Sequence, residues 1–563
     1  MRAMSCTRSA QFVLAISLLI GTSSVIGCGG ETDEQPSGPQ DWESWVAPAS
    51  TSPEDGIRRE VFLVPGYTPP ANPETGETTP TDLNFTQVIR YRQDVDPAVA
   101  PAAVLVAYPG FLGGAASWEF LARQLVKRSV AAGRPVEVWA IDRRANLLED
   151  TIGVDTAEMT SNPELAYRYY FGLDTIDGKR FPGFLYQSEL GYMSEWGAET
   201  HVEDLRRVIA LVPQADQKGH VFLLGHSLGA SFAEVYAAWR FTNGTRGADQ
   251  LAGLVLIDGL LGDAPVTEEE YFGGGQGGLF SVPGVDSLRT TGARYFELPF
   301  FGVSVLAHLE VMGLRALVDP DGVVSDDLRD SSLRVLLQMG ADEIPPLTNE
   351  AALGFSLDQG SNSITFTAVS CGVPTGGVLE DYENSLADGA TLYHPTDPTA
   401  TYSWIDASTN DGKEFTPIAN LAHTLVDGRS NLTEWYFPSR ILTDIAALGG
   451  GNVSEDGYQA MAGMRAFDGQ LNDAPILAIA TELILASDYD QLIGRVADTL
   501  GKGRKHAGAS RTTDSGLRVI DASELTHVDP TMAADVPGNP VPGAVIDFVY
   551  EHVLDGAVQL ELP

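Results

Sequence analysis

The chain has 563 residues, of which 44% are hydrophobic and 20% are charged, so it is long and apolar enough for a large core. This composition excludes the intrinsically disordered and fibrous classes of protein. The 76 acidic residues outnumber the 35 basic ones and give a formal net charge of -41, which repels nucleic acid and anionic lipid headgroups. We therefore expect no nucleic-acid partner.

Residues 1–27 have the pattern of an export signal. Two arginines precede the apolar run 12–20, which is shorter than the roughly 20 residues that a membrane-spanning helix needs. Residues 25–28, Val-Ile-Gly-Cys, resemble the lipobox of bacterial lipoproteins. The resemblance implies cleavage before Cys28 and a diacylglyceryl group on its sulfur, whereas an ordinary secretory signal cleaved at the same place is the alternative. We expect an exported protein anchored by lipid to a bacterial membrane, with the choice of membrane open.

Residues 28–57 are typical of a flexible tether between the lipid and the folded domain. Gly, Pro, Ser, Thr and acidic residues dominate this stretch, and they bury too little apolar surface to offset the entropy of ordering. Loss of the signal removes Cys6 and lipid occupies Cys28, so no internal disulfide is expected. The third cysteine, Cys371, receives no chemical role, because a lone cysteine among apolar neighbours usually packs as a small hydrophobic residue.

From residue 58 onward, strand patterns alternate with helix patterns. The predicted strands are 59–64, 85–92, 102–108, 136–141, 221–224 and 251–257. The first two strands alternate apolar and polar residues and suit an antiparallel edge, whereas 102–108 is a continuous apolar run, as expected for a strand buried on both faces. Apolar residues at helical spacing predict helices at 118–126, 202–209 and 228–239. The pattern indicates the α/β class, a mostly parallel sheet with helices on both faces.

The alternation stops between residues 261 and 472, and we interpret that stretch as a large inserted cap. It combines helical patches at 303–317 and 328–339 with Gly/Pro-rich and aromatic stretches. After it the pattern resumes, with predicted strands at 475–481 and 517–521 and predicted helices at 491–500 and 545–553. The sheet domain is thus predicted in two parts, 58–260 and 473–563, on either side of the insertion.

A predicted strand runs directly into Gly225-His226-Ser227-Leu228-Gly229 and then into a helix. This is the G-x-S-x-G pattern of a nucleophile elbow, in which small residues on both sides permit a sharp, strained turn. The turn would place the Ser227 hydroxyl at a helix N-terminus, where the N–H of Leu228 can stabilise developing negative charge. A Gly-rich turn without chemical function is the alternative.

With this elbow the chain resembles the α/β-hydrolase superfamily, and the resemblance covers the two parts that flank the insertion. Residues 109–113, Pro-Gly-Phe-Leu-Gly, are similar to the oxyanion loop of that family, which usually has histidine where this chain has proline. The resemblance implies that the backbone N–H of Phe111 is an oxyanion donor, and the proline leaves that group in place. A plain Pro-Gly turn is the alternative.

A serine nucleophile needs a base, and His527 is the candidate among nine histidines. It follows the last predicted strand, where the resembled family carries its base; the other histidines, His226 included, are expected to be surface or packing residues. The orienting carboxylate is open among three candidates. Asp258 ends the strand after the elbow and is preferred, whereas Glu482 and Asp488 follow the predicted strand 475–481.

These residues predict a serine hydrolase that cleaves carboxylic esters through an acyl-enzyme, with a small-molecule or lipid-like ester as substrate. Aromatic residues of the insertion would line an apolar acyl pocket: Phe296, Phe300, Phe301, Trp404, Trp435, Tyr436 and Phe437. A peptidase or thioesterase of the same fold, or an inactive surface binding protein, are the alternatives. No metal-ligand spacing is present, so no metal and no cofactor are expected. Oligomeric state stays open.

Three charged residues, Asp142, Arg143 and Arg144, follow the predicted strand 136–141. No motif surrounds them, so they are expected to form structural ion pairs and turn hydrogen bonds. The sequence assigns them no part in the chemistry.

Overall fold

The structure is a computed structural model. It describes residues 55–275, 282–297, 302–324, 328–329, 331–385, 390–407, 414–426, 428–467, 474–492, 511–512, 516–560 and 562. The predicted export signal, Cys28 and nearly all of the predicted tether lie outside the described residues, as does the predicted helix 491–500 from residue 493 on. Among the described residues, no helix is both long and apolar enough to cross a bilayer.

The centre of the molecule is one large sheet. Its main strands are β1 (Ile57–Pro65), β2 (Phe85–Gln93), β3 (Ala103–Tyr108), β4 (Val136–Ile141), β5 (Val221–His226), β6 (Gly253–Ile257), β7 (Ile476–Ala480) and β8 (Leu517–Asp521). They lie in the order β1-β2-β4-β3-β5-β6-β7-β8, and the two-residue strand Arg511–Thr512 follows outside β8. The pairs from β4 to β8 are parallel, whereas β2 is antiparallel to both β1 and β4.

Helices cover both faces of this sheet. The α-helices are α1 (Glu119–Ala131), α2 (Ile152–Thr160), α3 (Pro163–Tyr170), α4 (Ala198–Ile209), α5 (Gln214–His220), α6 (Leu228–Ala238), α7 (Glu268–Gly273), α8 (Val285–Thr290), α9 (Val303–Val318), α10 (Asn349–Leu357), α11 (Ile418–Thr424), α12 (Ser439–Ala447), α13 (Tyr458–Met461), α14 (Asp529–Met532) and α15 (Val541–His552). Leu125 of α1 and Phe548 of α15 pack on one face, while Val202 of α4 and Phe232 of α6 pack on the other. The predicted fold class is therefore confirmed.

The apolar runs fix the strands with little ambiguity. Every residue of β3, β4, β5, β6 and β7 is buried, as expected for strands covered by helices on both faces. Strands β4 and β8 have the predicted bounds. Between β6 and β7 the periodic pattern of apolar residues is weaker. The predicted helical patch 328–339 contains a 3₁₀ helix, Ser332–Leu337, which ends at Gln338 in the left-handed conformation.

The chain between β6 and β7, residues 258–475, is the β6–β7 connection. Besides α7 to α13 it contains two small antiparallel pairs, Gly372–Thr375 with Ser403–Asp406 and Leu379–Glu383 with Thr391–Pro395. Helices α9, α10 and α11 build a second apolar cluster, which the segment 145–196 after β4 also joins through α2 and α3. The molecule therefore has a second core beside the sheet.

Candidate active site

Ser227 occupies the turn between β5 and α6 in a strained backbone conformation. Its φ is 57° and its ψ is -126°, a region that residues other than glycine rarely adopt. Two backbone hydrogen bonds hold the turn, from Ser227 N–H to Ile257 O and from Ala230 N–H to Ser227 O, each 2.9 Å long. The side chain of Ser227 is half-buried. The turn therefore presents the hydroxyl at the carboxyl edge of the sheet.

The two glycines of the elbow are required by close approach of backbone atoms. A methyl group at Gly225 would lie 2.2 Å from the carbonyl oxygen of Gly229, and one at Gly229 would lie 2.3 Å from Tyr108 O. Both contacts are far inside van der Waals distance and involve backbone that has little room to move. These contacts explain why small residues are needed on both sides of Ser227, as the sequence pattern predicts.

His527 and Asp258 meet beside this turn. The Nδ1 atom of His527 lies 2.6 Å from Asp258 Oδ2, and both side chains are buried. The other carboxylate oxygen accepts the backbone N–H groups of Thr481 and Ile484, at 3.2 and 2.8 Å. Burial alone would raise the pKa of Asp258, but the hydrogen bonds and charge of His527 outweigh it, and the pKa lies below its ordinary value. The carboxylate is thus held ionised against the ring.

The other two candidate acids lie elsewhere. Glu482 is exposed as a residue. The pKa of its carboxyl is raised, first because nearby protein atoms partly desolvate it and second because the negative charge of Asp258 is close. Asp488 accepts the backbone N–H of Leu485 at 3.0 Å and so closes a turn. Within the described ranges neither carboxylate forms a hydrogen bond or ion pair with His527. Of the three acids left open by the sequence, the structure brings Asp258 to the histidine.

His527 contacts the elbow through His226, the residue that precedes Ser227. The ring centroids of His226 and His527 are 4.8 Å apart, and His226 Nε2 lies 2.7 Å from the backbone carbonyl of His527. Burial, and then the neighbouring imidazole, lower the pKa of His226 to about 3, so its neutral ring donates Nε2–H to that carbonyl. Among the described residues no hydrogen bond joins the Ser227 hydroxyl to His527; catalytic hydrogen bonds often close only when substrate is bound.

The loop that resembles an oxyanion loop, residues 109–113, lies against Ser227. A methyl group at Gly110 would be 3.0 Å from Ser227 Cβ, and Leu112 has a left-handed φ of 55°. Leu228 is the first residue of α6, so its N–H has no partner inside the helix. The structure therefore brings the two predicted donor segments to the two sides of Ser227.

Part of the predicted aromatic set surrounds this loop. The Phe111 ring packs edge-on against Phe296 and Phe437, with centroid distances of 4.7 and 4.9 Å, and Phe366 lies 6.4 Å away. In contrast, Trp404, Trp435 and Tyr436 are buried in the second apolar cluster, so they serve packing. Phe300 and Phe301 lie outside the described residues. An aromatic wall therefore stands beside the oxyanion loop.

Two charged residues that the sequence analysis left without a part in the chemistry hold the loops of the site. Asp529 accepts hydrogen bonds from Ser370, Thr416 and the backbone of Thr526, and so ties the loop of His527 to the β6–β7 connection. Arg143 donates to backbone carbonyls of the oxyanion loop. Local sequence carries no signal for either role, because the partners are distant residues or carbonyl groups that every residue has.

In the part of the chain that the structure describes, no group of three or more His, Cys, Asp or Glu side chains is arranged to hold a metal ion. Cys371 is fully buried there.

No family model and no curated protein matches the chain. Similar solved structures include a protein from Sulfolobus solfataricus that is provisionally described as a lipase, with 12% identity, a TM-score of 0.42, and coverage of 91% of this chain and 99% of that one. An esterase from Thermogutta terrifontis has 9% identity, a TM-score of 0.32, and coverage of 88% and 99%. A peroxisomal α/β-hydrolase from Saccharomyces cerevisiae has 10% identity, a TM-score of 0.34, and coverage of 91% and 94%.

At such low TM-scores these similarities carry no argument about the site. The strand order of the sheet and the strained serine turn after β5 are features of the chain itself. On those features, the chain has the fold of the α/β hydrolases.

Proposed function

We propose that the protein is a serine hydrolase that cleaves carboxylic esters, with Ser227 as nucleophile, His527 as base and Asp258 as the orienting acid. The observation that carries the proposal is the 2.6 Å hydrogen bond between Asp258 and His527 beside a serine held at positive φ. A buried carboxylate on one ring nitrogen of a histidine selects the tautomer whose other nitrogen accepts a proton. Strain at the serine fits a turn shaped for chemistry.

The proton path follows from this arrangement. Because Nδ1 of His527 donates to Asp258, Nε2 is the nitrogen left to take the proton of Ser227 as its oxygen attacks the ester carbonyl carbon. The imidazolium, stabilised by the Asp258 carboxylate, then gives that proton to the departing alcohol, and the acyl group stays on Ser227. Water then attacks the acyl carbon and gives one proton to Nε2 of His527. That proton passes to the Ser227 oxygen as its bond to the acyl group breaks, and the carboxylic acid leaves.

The negative charge that develops on the carbonyl oxygen needs donors. The N–H groups of Phe111 and Leu228 are proposed for this role, since their segments flank Ser227 and the positive end of the α6 dipole points there. Each donor of this kind contributes roughly 3 kcal/mol to the reduction of the barrier.

An apolar acyl group is the proposed substrate feature. The aromatic wall of Phe111, Phe296, Phe366 and Phe437 lies beside the oxyanion loop and offers no charged partner for an acyl chain. A series of nitrophenyl esters of increasing acyl length tests this point. We expect kcat/KM to rise with chain length, and a preference for acetate over all longer chains would contradict it. Thioester and peptide substrates, run beside the esters, test the thioesterase and peptidase alternatives.

The decisive test of the enzyme is covalent labelling with a fluorophosphonate probe. Folded wild-type protein should label at Ser227 and hydrolyse nitrophenyl esters, because the probe reports a serine activated by a base. The Ser227→Ala variant should lose both reactions while its thermal unfolding stays unchanged. Failure of the wild-type protein to label would favour the inactive binding protein, and full hydrolysis by Ser227→Ala would refute the mechanism.

The proposal includes export and a lipid anchor at Cys28, supported by the sequence pattern of residues 1–28. A bacterial host expressing the full chain should carry the protein in its membrane fraction. The Cys28→Ser variant should leave that fraction, because its side chain offers no sulfur for the lipid. Retention of the variant in the membrane would contradict the anchor.

A further inference from the structure

We propose that Arg143 and Glu434 are positioning residues of the oxyanion loop, and that residues 432–435 of the β6–β7 connection are an integral part of the catalytic centre. The inference rests on the proposed function above. It assigns to the β6–β7 connection a role in holding the oxyanion loop.

Arg143 binds the backbone carbonyl groups of the oxyanion loop. Its Nη2 donates to the carbonyl oxygens of Pro109 and Gly110, at 2.6 and 2.8 Å, and its Nη1 donates to Gly113 O at 3.2 Å. The guanidinium is buried and lies over the rings of Tyr108 and Phe437, at 5.1 and 5.0 Å from the centroids. A planar group with several fixed donors therefore binds three carbonyls of one short loop.

The hydrogen bond from Arg143 to the Gly110 carbonyl determines the direction in which the Phe111 N–H points. The carbonyl of Gly110 and the N–H of Phe111 belong to the same peptide unit, and in a trans peptide they point in opposite directions. With Gly110 O turned towards Arg143, the Phe111 N–H is turned to the other side of the loop. A positive charge on the carbonyl also polarises the peptide and strengthens its N–H as a donor. Arg143 thus orients the donor without touching substrate.

Glu434 supplies the counter-charge from the β6–β7 connection. Its Oε2 lies 2.5 Å from Arg143 Nη1, and both side chains are almost fully buried. Its backbone N–H donates to Leu112 O at 2.9 Å, so side chain and main chain both engage the loop. A buried Arg–carboxylate pair is strongly perturbed when one partner is removed.

Main-chain contacts extend this connection into a strand-like pairing. Gly114 N–H donates to Leu432 O at 2.7 Å, and Gly113 pairs with Thr433 in an antiparallel bridge. A methyl group at Gly114 would lie 2.2 Å from Asn431 O, so the two backbones approach as closely as glycine permits. The oxyanion loop is therefore held between Arg143 and residues 432–435.

The far side of residues 432–435 is held as firmly. Thr433 Oγ1 and the Trp435 indole N–H donate to Glu310 Oε1, at 2.6 and 2.9 Å, and the Trp435 backbone N–H donates to Glu149 Oε1 at 2.7 Å. Residues 433 and 435 thus face the second core while residue 434 faces the loop, as alternation along an extended strand requires.

The test compares two buried arginines that are adjacent in sequence. Arg143→Lys keeps the charge but loses the planar fork, which one ammonium group does not replace. Arg144→Lys is the matched control, because Arg144 is equally buried and pairs with Asp204 without binding the oxyanion loop. We expect kcat for a nitrophenyl ester to fall about 100-fold in Arg143→Lys with KM nearly unchanged, the signature of a lost transition-state interaction. The control should keep its kcat.

A second variant and a second measurement keep the inference open to refutation. Glu434→Gln retains size and one acceptor, and its kcat should fall about tenfold because a charge-assisted hydrogen bond becomes neutral. Hydrogen exchange at the amides of Gly113 and Gly114 should accelerate in Arg143→Lys and stay unchanged in Arg144→Lys.

The exchange measurement is independent of activity. A wild-type protein that hydrolyses no ester would refute the proposed function, yet the exchange rates would still decide whether Arg143 holds the loop. Equal kcat and equal exchange in Arg143→Lys and Arg144→Lys would overturn the positioning role.

Discussion

The sheet and the β6–β7 connection contribute to the candidate site in different ways. The sheet is held by apolar burial, and the ends of β5 and β6 present Ser227 and Asp258. The β6–β7 connection contacts the same site through buried polar groups. Glu434 pairs with Arg143, which binds the oxyanion loop, and the Thr416 hydroxyl donates to Asp529 in the loop of His527. Apolar packing therefore places Ser227 and Asp258, whereas directional polar contacts hold the loops around them.

The two kinds of contact respond differently to change. Apolar burial is non-directional and involves no protonation, so the apolar contacts of the sheet do not titrate. Buried carboxyls depend on geometry and on protonation, and an unpaired one costs more than its pairing contributes. Substitutions in the sheet and in the β6–β7 connection therefore separate the two contributions.

The largest effect is expected at Asp258, where the sheet delivers the acid. Asp258→Asn should lower kcat about 10⁴-fold, because an amide favours the wrong tautomer of His527. Steady-state kinetics with a nitrophenyl ester measures it. Asp488→Asn is the control for a nearby acid that closes a turn, and it should keep wild-type kcat. Comparable losses in both variants would remove Asp258 from its role.

Alanine substitutions at Gly225 and Gly114 compare the stability of the elbow with that of the contact between the oxyanion loop and the β6–β7 connection. Gly225→Ala should destabilise the protein by about 3 kcal/mol or more, since the methyl group would meet rigid backbone of the elbow at 2.2 Å. Gly114→Ala meets Asn431 O at the same 2.2 Å, but this carbonyl is the only one of the three nearest atoms within 3.0 Å, whereas all three nearest atoms at Gly225 are. We expect a stability loss of about 1–2 kcal/mol there, with kcat reduced.

Denaturant titration and kcat measure this pair. Gly262→Ala is the control, because a methyl group at Gly262 meets no atom within 4 Å. A Gly114→Ala variant with wild-type kcat would show that the oxyanion loop does not depend on the β6–β7 connection.

The smallest effect concerns pH and one buried carboxyl of the β6–β7 connection. Burial raises the pKa of Glu310 to about 7, against 4.5 for an ordinary glutamate. Between these values the unfolded chain has released the proton of Glu310 and the folded chain still holds it. Stability is therefore full below about pH 4.5 and is lost as pH rises towards 7.

For Glu310 alone the loss is roughly 3 kcal/mol at most. The Glu310→Gln variant lacks the titrating proton, so its stability should fall less between about pH 5 and pH 8. Urea titrations of both proteins across this range measure the difference. Parallel curves would contradict the assignment of the pH dependence to this carboxyl.

Much of the sheet was predictable because its information is local. Strands β4 and β8 are mostly apolar and lie between turn residues, and the structure has the predicted bounds. The positions of Asp258 and His527 after predicted strands gave candidates that the structure brings together. The sequence left three acids open, since the strand ends alone do not show which loop turns towards the histidine.

The contacts of Arg143 and His226 were beyond the sequence for a physical reason. Arg143 pairs with a glutamate 291 residues away and with backbone carbonyls, and His226 donates to a carbonyl 301 residues away. Carbonyl groups have no residue type, so no local pattern marks them as partners. Polar contacts between distant segments depend on tertiary geometry, which periodicity does not encode.

The distance along the chain between acid and base has a consequence for biosynthesis. Asp258 and His527 are 269 residues apart, and the histidine follows β8, which joins the sheet beside β7. While the ribosome is still making the polypeptide, Ser227 and Asp258 already exist but His527 does not. Under the proposed mechanism, hydrolysis therefore begins only after β8 and His527 have joined the sheet.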